Sequence, residues 1–366
     1  MKKRTTLTHS VRAVGLCVAG SLALALTASA AAANRYTVTG LGTLPNWAYS
    51  YVNAWGGGPV INNRGHIAAF STAFDTPYAW TDSQPFLWLG PGQIETLPGL
   101  PGRPSNTPMG MNDHDQIVGW SGFDYSSTHP VLWDHGVAYA LEIPGGDYMM
   151  AAPVGINNNG TIVGVGSTPG FALVSAFVWI EGHIHTLPQL VSGGIFTQAN
   201  AINDRGQIAG ASGQDWWADF HAVLWDHGQI IDLGTLGGVA SMANAINDGG
   251  QIAGQSQVAN GDWHMTLWQK GGAKDLGNFG TDPLGAANDI NNRGQVVGVS
   301  SQSDGSAPHA LLWERGSLLD LQTLIPPNSG WSLQSVQAIN DRGQIAGWGL
   351  HNGQARALLL TPNDQE

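Results

Sequence analysis

Cysteine is almost absent from this sequence. The 366 residues contain one cysteine, Cys17, which lies in an apolar N-terminal run that we expect to be removed. Leu16 precedes it at a position where a lipid-attachment site needs a small residue, so lipidation is not expected. A mature chain without cysteine has no disulfide, and packing must therefore stabilise it.

Charged residues are also scarce, at 11% of the sequence, whereas glycine is abundant, with 51 residues. This composition is typical of many short strands joined by tight turns rather than of helices. Disorder is excluded because 42% of the residues are hydrophobic and 15 are tryptophan.

The first 33 residues have the pattern of a secretory signal peptide. Basic residues at positions 2–4 precede an apolar run at 14–27, and the small residues Ala28-Ser29-Ala30 follow it. The run is shorter than the roughly 18–20 residues that a membrane anchor needs. We therefore expect cleavage and a secreted protein, extracellular or periplasmic, in which residues 34–366 form a single domain.

Cleavage changes the charge balance of the chain. It removes four of the 14 Lys and Arg residues and none of the 26 Asp and Glu residues, so the mature net charge becomes −16. Such an acidic body is a poor partner for nucleic acid or an anionic membrane. We expect no nucleic-acid binding and no membrane insertion after cleavage.

One stretch, residues 199–238, defines the repeating unit of the chain. The sequence predicts four short strands there, at 199–203, 207–211, 221–225 and 229–235. Tight turns join the first strand to the second and the third to the fourth. Each turn ends in a glycine, which supplies the positive φ that such hairpin loops need.

The first of these turns occurs seven times along the chain, at intervals of 44 to 50 residues. The asparagine that opens it, here called the motif asparagine, is Asn62, Asn112, Asn157, Asn203, Asn247, Asn291 and Asn340. Tryptophan ends the third strand in six repeats, at Trp88, Trp133, Trp179, Trp225, Trp268 and Trp313. A period of about 40–50 residues with four strands per repeat is typical of a β-propeller blade.

The two ends of the chain complement each other. The seventh repeat stops after its third strand, Ala357–Leu360, and Tyr36–Leu44 resembles a fourth strand that lacks the three before it. The sequence therefore predicts an all-β, seven-bladed β-propeller with four antiparallel strands per blade, in which the N-terminal strand closes the ring. The first strand of each blade would be innermost and the fourth outermost. A β-sandwich is the alternative.

The repeat resembles the extracellular HAF repeat family, named for His-Ala-Phe. The matching residues are His221-Ala222-Val223, His309-Ala310-Leu311 and His129-Pro130-Val131, with partial matches at His264-Met265-Thr266 and Ala176-Phe177. The upstream Ile-Asn-x-x-Gly-Gln-Ile and the downstream run from Asp232 to Gly238 also match. The resemblance covers about residues 36–361 and implies a secreted propeller, without an activity that can be transferred.

The recurring histidines His129, His221, His264 and His309 suggest a metal site. However, they lie on third strands, away from the predicted axis, so they should be far apart. We expect structural roles instead, with each imidazole bonded to backbone or to a nearby Asx or Ser side chain. No metal and no other cofactor is predicted.

An asparagine also stands three residues before the motif asparagine in three consecutive repeats, at Asn200, Asn244 and Asn288. These amides are predicted either to line the channel or to bond between inner strands. The second, structural interpretation is favoured.

The strongest functional signal is an asymmetry between the two faces of the predicted propeller. The turns within each hairpin pair are short and uniform, whereas the loops on the opposite face vary. The nine other tryptophans, Trp120 and Trp348 among them, are predicted in or at the edge of those loops, together with acids. Exposed aromatic residues collected on one face are typical of a binding surface. The candidate ligand-binding residues are Trp47, Trp55, Trp80, Asp124, Tyr148, Asp215, Trp216, Trp217, Trp263 and Trp331.

Three functions fit these residues. The first is a monomeric ligand-binding or interaction module, with carbohydrate as a suitable ligand because flat rings stack on sugars and carboxylates accept their hydroxyl protons. The second is a polysaccharide lyase or glycoside hydrolase that uses the same face, although no nucleophile elbow, phosphate loop, His-Glu-x-x-His or paired-cysteine site is present. The third is a protein-interaction scaffold of the cell envelope.

Overall fold

β-Strands dominate the computed structural model of this chain, which describes residues 35–52, 58–76, 82–122, 128–142, 150–169, 172–215, 219–270 and 272–363. The predicted signal peptide lies outside these ranges. Within them, Leu321–Leu324 forms a 3-10 helix, and no helix is long and apolar enough to cross a membrane.

The strands follow the sequence repeats, which are here called units 1 to 7. An N-terminal strand, β1 (Tyr36–Gly40), precedes unit 1. Unit 1 contains β2 (Tyr49–Tyr51), β3 (Ile67–Thr72), β4 (Ser83–Gly90) and β5 (Gln93–Thr96). Unit 2 contains β6 (Ser105–Met111), β7 (Ile117–Gly122), β8 (His129–Asp134) and β9 (Val137–Ala140). Unit 3 contains β10 (Met150–Ile156), β11 (Ile162–Ser167), β12 (Val174–Ile180) and β13 (His183–Thr186).

The second half of the chain continues this order. Unit 4 contains β14 (Phe196–Ile202), β15 (Ile208–Gly213), β16 (Phe220–Asp226) and β17 (Gln229–Asp232). Unit 5 contains β18 (Gly237–Ile246), β19 (Ile252–Val258), β20 (Trp263–Gln269) and β21 (Gly272–Gly277). Unit 6 contains β22 (Leu284–Ile290), β23 (Val296–Ser301), β24 (His309–Glu314) and β25 (Ser317–Asp320). Unit 7 contains β26 (Trp331–Ile339), β27 (Ile345–His351) and β28 (Gln354–Pro362).

Each unit is an antiparallel meander, and the units form five sheets. Units 1 and 2 are separate four-stranded sheets, whereas units 3 and 4 share one sheet and units 5 and 6 share another. One parallel contact joins each shared sheet, between Val174 and Phe196 in the first and between Trp263 and Leu284 in the second. In the fifth sheet, β1 pairs with β28, so the strand order is β1-β28-β27-β26.

A β-bulge recurs in the first strand of units 2 to 7. In unit 4 the register shifts between Ala199 and Ala201, so that Asn200 is the extra residue. Asn200 Nδ2 donates to the carbonyl of Ala243 in unit 5, at 2.8 Å. Asn244 and Asn288 sit in the same bulge of units 5 and 6 and donate to Ala287 and Val336. The prediction that this asparagine series bonds between inner strands is therefore confirmed, since a bulge re-aims the extra side chain.

The motif asparagines form a second and longer series of contacts between units. In unit 4, Asn203 Oδ1 accepts the backbone N–H groups of Arg205 and Gln207, which fixes the turn. Its Nδ2 donates to the carbonyl of Asn247, the motif asparagine of unit 5, at 3.0 Å. Each of the seven makes the same bond to the next unit, and the last, Asn340, donates to Asn62.

The third-strand tryptophans pack in the core between units. Trp133 and Trp225 are fully buried, and their indole Nε1 atoms donate to the carbonyls of Pro98 and Pro188. Each of these prolines lies in the connection that arrives from the preceding unit. Trp179 Nε1 likewise donates to the carbonyl of Glu142, so in units 2, 3 and 4 the repeated tryptophan fastens the arriving connection to the sheet.

The fourth strand is shorter than predicted. In unit 4 it ends at Asp232 rather than at Thr235. Asp232 Oδ1 accepts the N–H of Gly234, whose φ of 68° turns the chain out of the sheet. The N-terminal strand likewise ends at Gly40 rather than at Leu44, and Gly42 has a φ of 82°. Positive φ at a glycine stops the strand in both places.

Replacing one motif asparagine should destabilise the whole protein. Asn203→Ala removes the bond to Asn247 and leaves two turn N–H groups without their acceptor. We expect the free energy of unfolding, measured by denaturant titration, to fall by roughly 2–4 kcal/mol. Asn159→Ala, which removes only an exposed bond to the Asp204 carbonyl from the equivalent turn in unit 3, is the control and should cost less than about 1 kcal/mol. Equal losses in the two variants would contradict this role.

Candidate functional site

The two faces of the molecule differ in the way the sequence predicts. The bonds between motif asparagines bring the seven first turns together on one face, here called the tight-turn face. Because the strands of a unit are antiparallel, the turns between third and fourth strands lie on that face too. The connections between units, and between second and third strands, lie on the opposite face, here called the loop-rich face.

Six of the ten predicted ligand-binding residues fall outside the described residues. They are Trp55, Trp80, Asp124, Tyr148, Trp216 and Trp217. The other four lie on the loop-rich face, where Trp47 precedes β2, Asp215 follows β15, and Trp263 and Trp331 begin β20 and β26. All four are half-buried.

Trp263 and Trp331 both pack against neighbouring rings. The Trp263 ring is stacked with Phe220, with centroids 6.3 Å apart and planes 20° apart. The Trp331 ring is stacked on His351, with centroids 4.6 Å apart and planes 17° apart. Each indole therefore has one side committed to packing, and the half-exposed remainder is what a ligand could contact.

One tryptophan assigned to the loops belongs to the core. Trp120 lies inside β7, is 3% exposed, and packs in a buried cluster with Met109 and Val154. The prediction of a loop position for Trp120 is wrong because the sequence alone does not show which side of a strand turns inward. Trp348 similarly lies inside β27 and meets Tyr51 edge-on, with centroids 5.2 Å apart.

The loop-rich face carries exposed apolar side chains, most of them aliphatic residues that a search for aromatics does not find. Six of the large hydrophobic residues that are exposed in the described part of the chain lie there: Phe74, Val191, Ile195, Val239, Phe279 and Leu284. Five of the six stand in or beside the connections between consecutive units 3 to 6. The sequence contains a signal that predicts this surface, namely aliphatic residues within glycine-rich connections, where no strand is present to bury them.

Three of the four recurring histidines have the structural role that the sequence predicts, whereas the Nε2 of the fourth, His129, lies 3.0 Å from Arg103 Nη2. His221 Nδ1 lies 2.9 Å from Asp232 Oδ2, and His264 Nδ1 lies 2.9 Å from Asp275 Oδ2. His309 Nδ1 lies 3.4 Å from Asp320 in the same arrangement. In each case the third strand is thereby tied to the end of the fourth. Among the described residues, no three His, Cys, Asp or Glu side chains form a group that could hold a metal ion.

A cavity of about 130 Å³ lies at the centre of the tight-turn face. The residues before, at and after the motif asparagine line it in all seven units. The position after that asparagine forms a second ring, in which each side chain accepts the backbone N–H of the preceding unit's equivalent residue: Asn63, Asp113, Asn158, Asp204, Asp248, Asn292 and Asp341. The turn motif alone does not predict this ring, because its bonds join residues of different units.

The asparagines of this second ring bridge the aspartates beside them. Asn158 Nδ2 donates to both Asp113 and Asp204, at 3.3 and 2.8 Å. Asn292 Nδ2 donates to both Asp248 and Asp341, at 3.0 Å each. The amides thus separate carboxylates that would otherwise repel one another across the cavity.

The chain of unit 1 crosses the inner strands of its neighbours. Gly58 donates its N–H to the carbonyl of Val154 in unit 3, and the Pro59 carbonyl accepts the N–H of Met111 in unit 2. A Cβ at Gly58 would lie only 2.9 Å from Gly155 Cα, so only glycine fits. Gly58 and Pro59 therefore form part of the cavity wall.

A buried carboxylate, Asp289, also lines the axial cavity. It stands two residues before the motif asparagine of unit 6, where units 4, 5 and 7 have Ala201, Ala245 and Ala338. Its oxygens accept the N–H groups of Ile290 and, in unit 7, Ile339, both at 2.8 Å. Burial raises the pKa of Asp289 to about 7, although both bonds favour the charged form, and the nearby Asp341 carboxylate raises it further.

Comparison with known proteins identifies the architecture. The chain matches no family model and no curated protein. It is similar to the β-propeller domain of the Trilobed protease from Pyrococcus furiosus, with a TM-score of 0.57 and 10% identity over 88% of this chain and 97% of that one. The fold is that of a β-propeller.

Two further propellers of similar extent support the same conclusion. YCF48 bound to D1 peptide gives a TM-score of 0.52 with 11% identity, over 91% of this chain and 96% of that one. U3-55K gives a TM-score of 0.51 with 15% identity, over 89% of this chain and 98% of that one. At these identities the likeness extends to the fold alone, so function must be argued from the faces of this propeller.

The Asp289 carboxyl predicts a pH dependence of stability. Between about pH 4 and 7, the folded state keeps a proton that the unfolded chain, with a pKa near 3.8, has released. The stability that this proton supplies is complete below pH 4 and is lost as the pH rises to 7. We expect the wild type to lose on the order of 3 kcal/mol more unfolding free energy over this range than Asp289→Asn does.

The control is Asp304→Asn, because the lowered pKa of the exposed Asp304 places its titration below this range. It should reproduce the wild-type pH profile. Parallel profiles for the wild type and Asp289→Asn would show that this carboxyl does not titrate in the folded state as described.

Proposed function

We propose that this chain is a secreted interaction module, a seven-bladed β-propeller closed by its N-terminal strand, which binds an extracellular ligand on its loop-rich face. Secretion is inferred from the pattern of residues 1–33. Membership of the HAF repeat family is part of the proposal, and the matching His–Asp pairs of units 4, 5 and 6 support it.

Contacts between the two ends of the chain support the proposed ring. β1 pairs with β28 over five residue pairs, from Tyr36 with Pro362 to Gly40 with Leu358. Arg35 also binds Glu314 in unit 6, and this bond together with one from Gln295 lowers the pKa of Glu314, although burial alone would raise it. The similar propeller from Pyrococcus furiosus is described as having an open velcro topology, so the pairing here deserves a direct test.

An engineered disulfide tests the proposed closure. Thr37 and Thr361 are partners in the β1–β28 register, and paired strands place Cα atoms at a distance that a disulfide spans. Since the predicted mature chain has no cysteine, Thr37→Cys with Thr361→Cys should form a single intramolecular bond. We expect oxidation to stabilise the protein by about 3–5 kcal/mol relative to its reduced form, measured by denaturant titration.

The reduced double variant and each single variant serve as controls and should unfold as the wild type does. Failure of the two cysteines to react, or a disulfide that leaves the unfolding free energy unchanged, would contradict closure by the N-terminal strand.

The exposed aliphatic side chains of the loop-rich face carry the functional part of the proposal. Solvent-exposed apolar residues that cluster on one face are typical of a surface that contacts another molecule. A protein ligand is proposed ahead of a sugar, because four of the six exposed apolar residues on this face are aliphatic and offer no flat ring for stacking. In addition, Trp263 and Trp331 each have one side already packed. A peptide is bound by the similar propeller YCF48.

Site-specific photocrosslinking tests which face binds. A photoreactive amino acid at Val239, on the loop-rich face, should yield crosslinks to a ligand in the medium or envelope of the producing cell. The same amino acid at His227, a highly exposed residue of the tight-turn face, is the control and should yield none. Crosslinks at His227 alone would overturn the assignment of the face.

A glycan array and a polysaccharide degradation assay separate the ligand classes. Under the proposal, both give no signal for the purified protein while the Val239 crosslinks contain a polypeptide. Binding on the array would assign the face to carbohydrate, and cleavage would favour the hydrolase or lyase alternative.

A further inference from the structure

The connections between units 3 to 6 are anchored in equivalent positions. In each, one backbone N–H donates to a serine near the end of the next unit's second strand: Leu190 to Ser212 at 3.0 Å, Leu236 to Ser256 at 2.8 Å, and Phe279 to Ser300 at 3.2 Å. The three connections therefore lie side by side on successive units rather than at unrelated places on the face.

Aliphatic and aromatic side chains project from these anchored connections. Val239 is 64% exposed, and Val191, Ile195, Phe279 and Leu284 are each more than one third exposed. We call these five residues the apolar arc. Beneath it, Phe220 stacks on Trp263, and the Trp263 N–H donates to the Pro283 carbonyl, so the support is well packed.

The charge around the apolar arc has one sign. In sequence, the segments 187–196, 214–219, 233–241, 258–263, 277–284 and 302–308, which join the strands around the arc, contain five aspartates and no lysine or arginine. The aspartates are Asp215, Asp219, Asp262, Asp282 and Asp304. Asp282 is buried and accepts Ser300 Oγ and Gln302 Nε2, whereas Asp219 and Asp304 are exposed.

Five of the seven basic residues of units 4 to 7 stand on the opposite face instead. Arg205, Arg293 and Arg342 occupy first turns, and Lys270 and Arg315 occupy turns between third and fourth strands. Of the other two, Lys274 lies on the outer strand β21 over the Trp313 ring, and Arg356 on β28 binds the carbonyl of Ala48. The connections that carry the apolar arc therefore contain carboxylates and no lysine or arginine.

We propose that the apolar arc binds a cationic, apolar-rich polypeptide segment of another protein. Apolar side chains of the segment would cover the arc, and its lysines or arginines would approach Asp219, Asp262 and Asp304. Burial of apolar area supplies affinity, whereas complementary charge supplies steering and selectivity. This inference rests on the proposed function and names the class of partner for the same face.

Binding of synthetic peptides to the folded chain tests this pairing. The probes are three fluorescent peptides of equal length, composed of Lys and Leu, of Glu and Leu, and of Lys and Ser, measured by anisotropy. We expect the Lys/Leu peptide to bind at least about tenfold more tightly than either of the others, because it alone supplies both charge and apolar surface. Its affinity should weaken as salt increases.

Two variants locate the binding. Val191→Ser with Val239→Ser should weaken the Lys/Leu peptide about tenfold, and so should Asp219→Asn with Asp262→Asn. The matched control is Val137→Ser with Tyr139→Ser, which removes equally exposed apolar groups from the outer strand β9 and should leave the affinity unchanged. Circular dichroism and unfolding free energies confirm that each variant is folded.

Three results would overturn the inference. They are equal binding of all three peptides, a loss of binding that is the same in the β9 control, and a concentration-dependent dimer, seen by analytical ultracentrifugation, that Val191→Ser with Val239→Ser abolishes. The last result would assign the arc to a second copy of this chain. Crosslinks at Val239 without a preference for the Lys/Leu peptide would leave the proposed function standing and this partner class rejected.

Discussion

The hydrogen bond from each motif asparagine to the next unit is the constraint on which the rest of the structure depends. A four-stranded antiparallel sheet cannot hide both faces by itself, so each unit needs its neighbours. The side chain of Asn203 has two roles. Its oxygen accepts two N–H groups of its own turn, and its nitrogen donates to the adjoining unit. Seven copies of that contact join the first turns of the seven units to one another.

Because of this constraint, the tight-turn face has nearly the same geometry in every unit, whereas the loop-rich face varies from unit to unit. Close approach at the axis explains the small residues Gly110, Gly155, Ala201 and Ala245, and a Cβ at Gly110 would lie 2.6 Å from the Val154 carbonyl. The connections on the loop-rich face are held through backbone hydrogen bonds to a serine or an indole of the next unit. Their side chains take no part in these bonds and can therefore vary. Apolar and acidic side chains can therefore stand on that face without disturbing the contacts between units.

The repeat made much of the fold predictable, because turns and strand periodicity are local properties of the sequence. The four strands of unit 4, the strand character of Tyr36–Gly40 and the inter-strand bonds of Asn200 were all predicted. The direction in which a side chain points from its strand was not predicted, and for this reason Trp120 was assigned to the loops rather than to the core. The aspartate at position 289 and the amide bridges of Asn158 and Asn292 depend on neighbours more than 40 residues away. Such contacts become visible only when the units are assembled.

Native-state hydrogen exchange, followed by mass spectrometry, tests most directly whether the units behave as one body held by the asparagine contacts and by β1. We expect peptides from the first strands of all units to exchange together at the global unfolding free energy, and Tyr36–Gly40 to exchange with β26 to β28. Stepwise exchange that begins at unit 1 or unit 7 and proceeds inward, as in an open array, would contradict it.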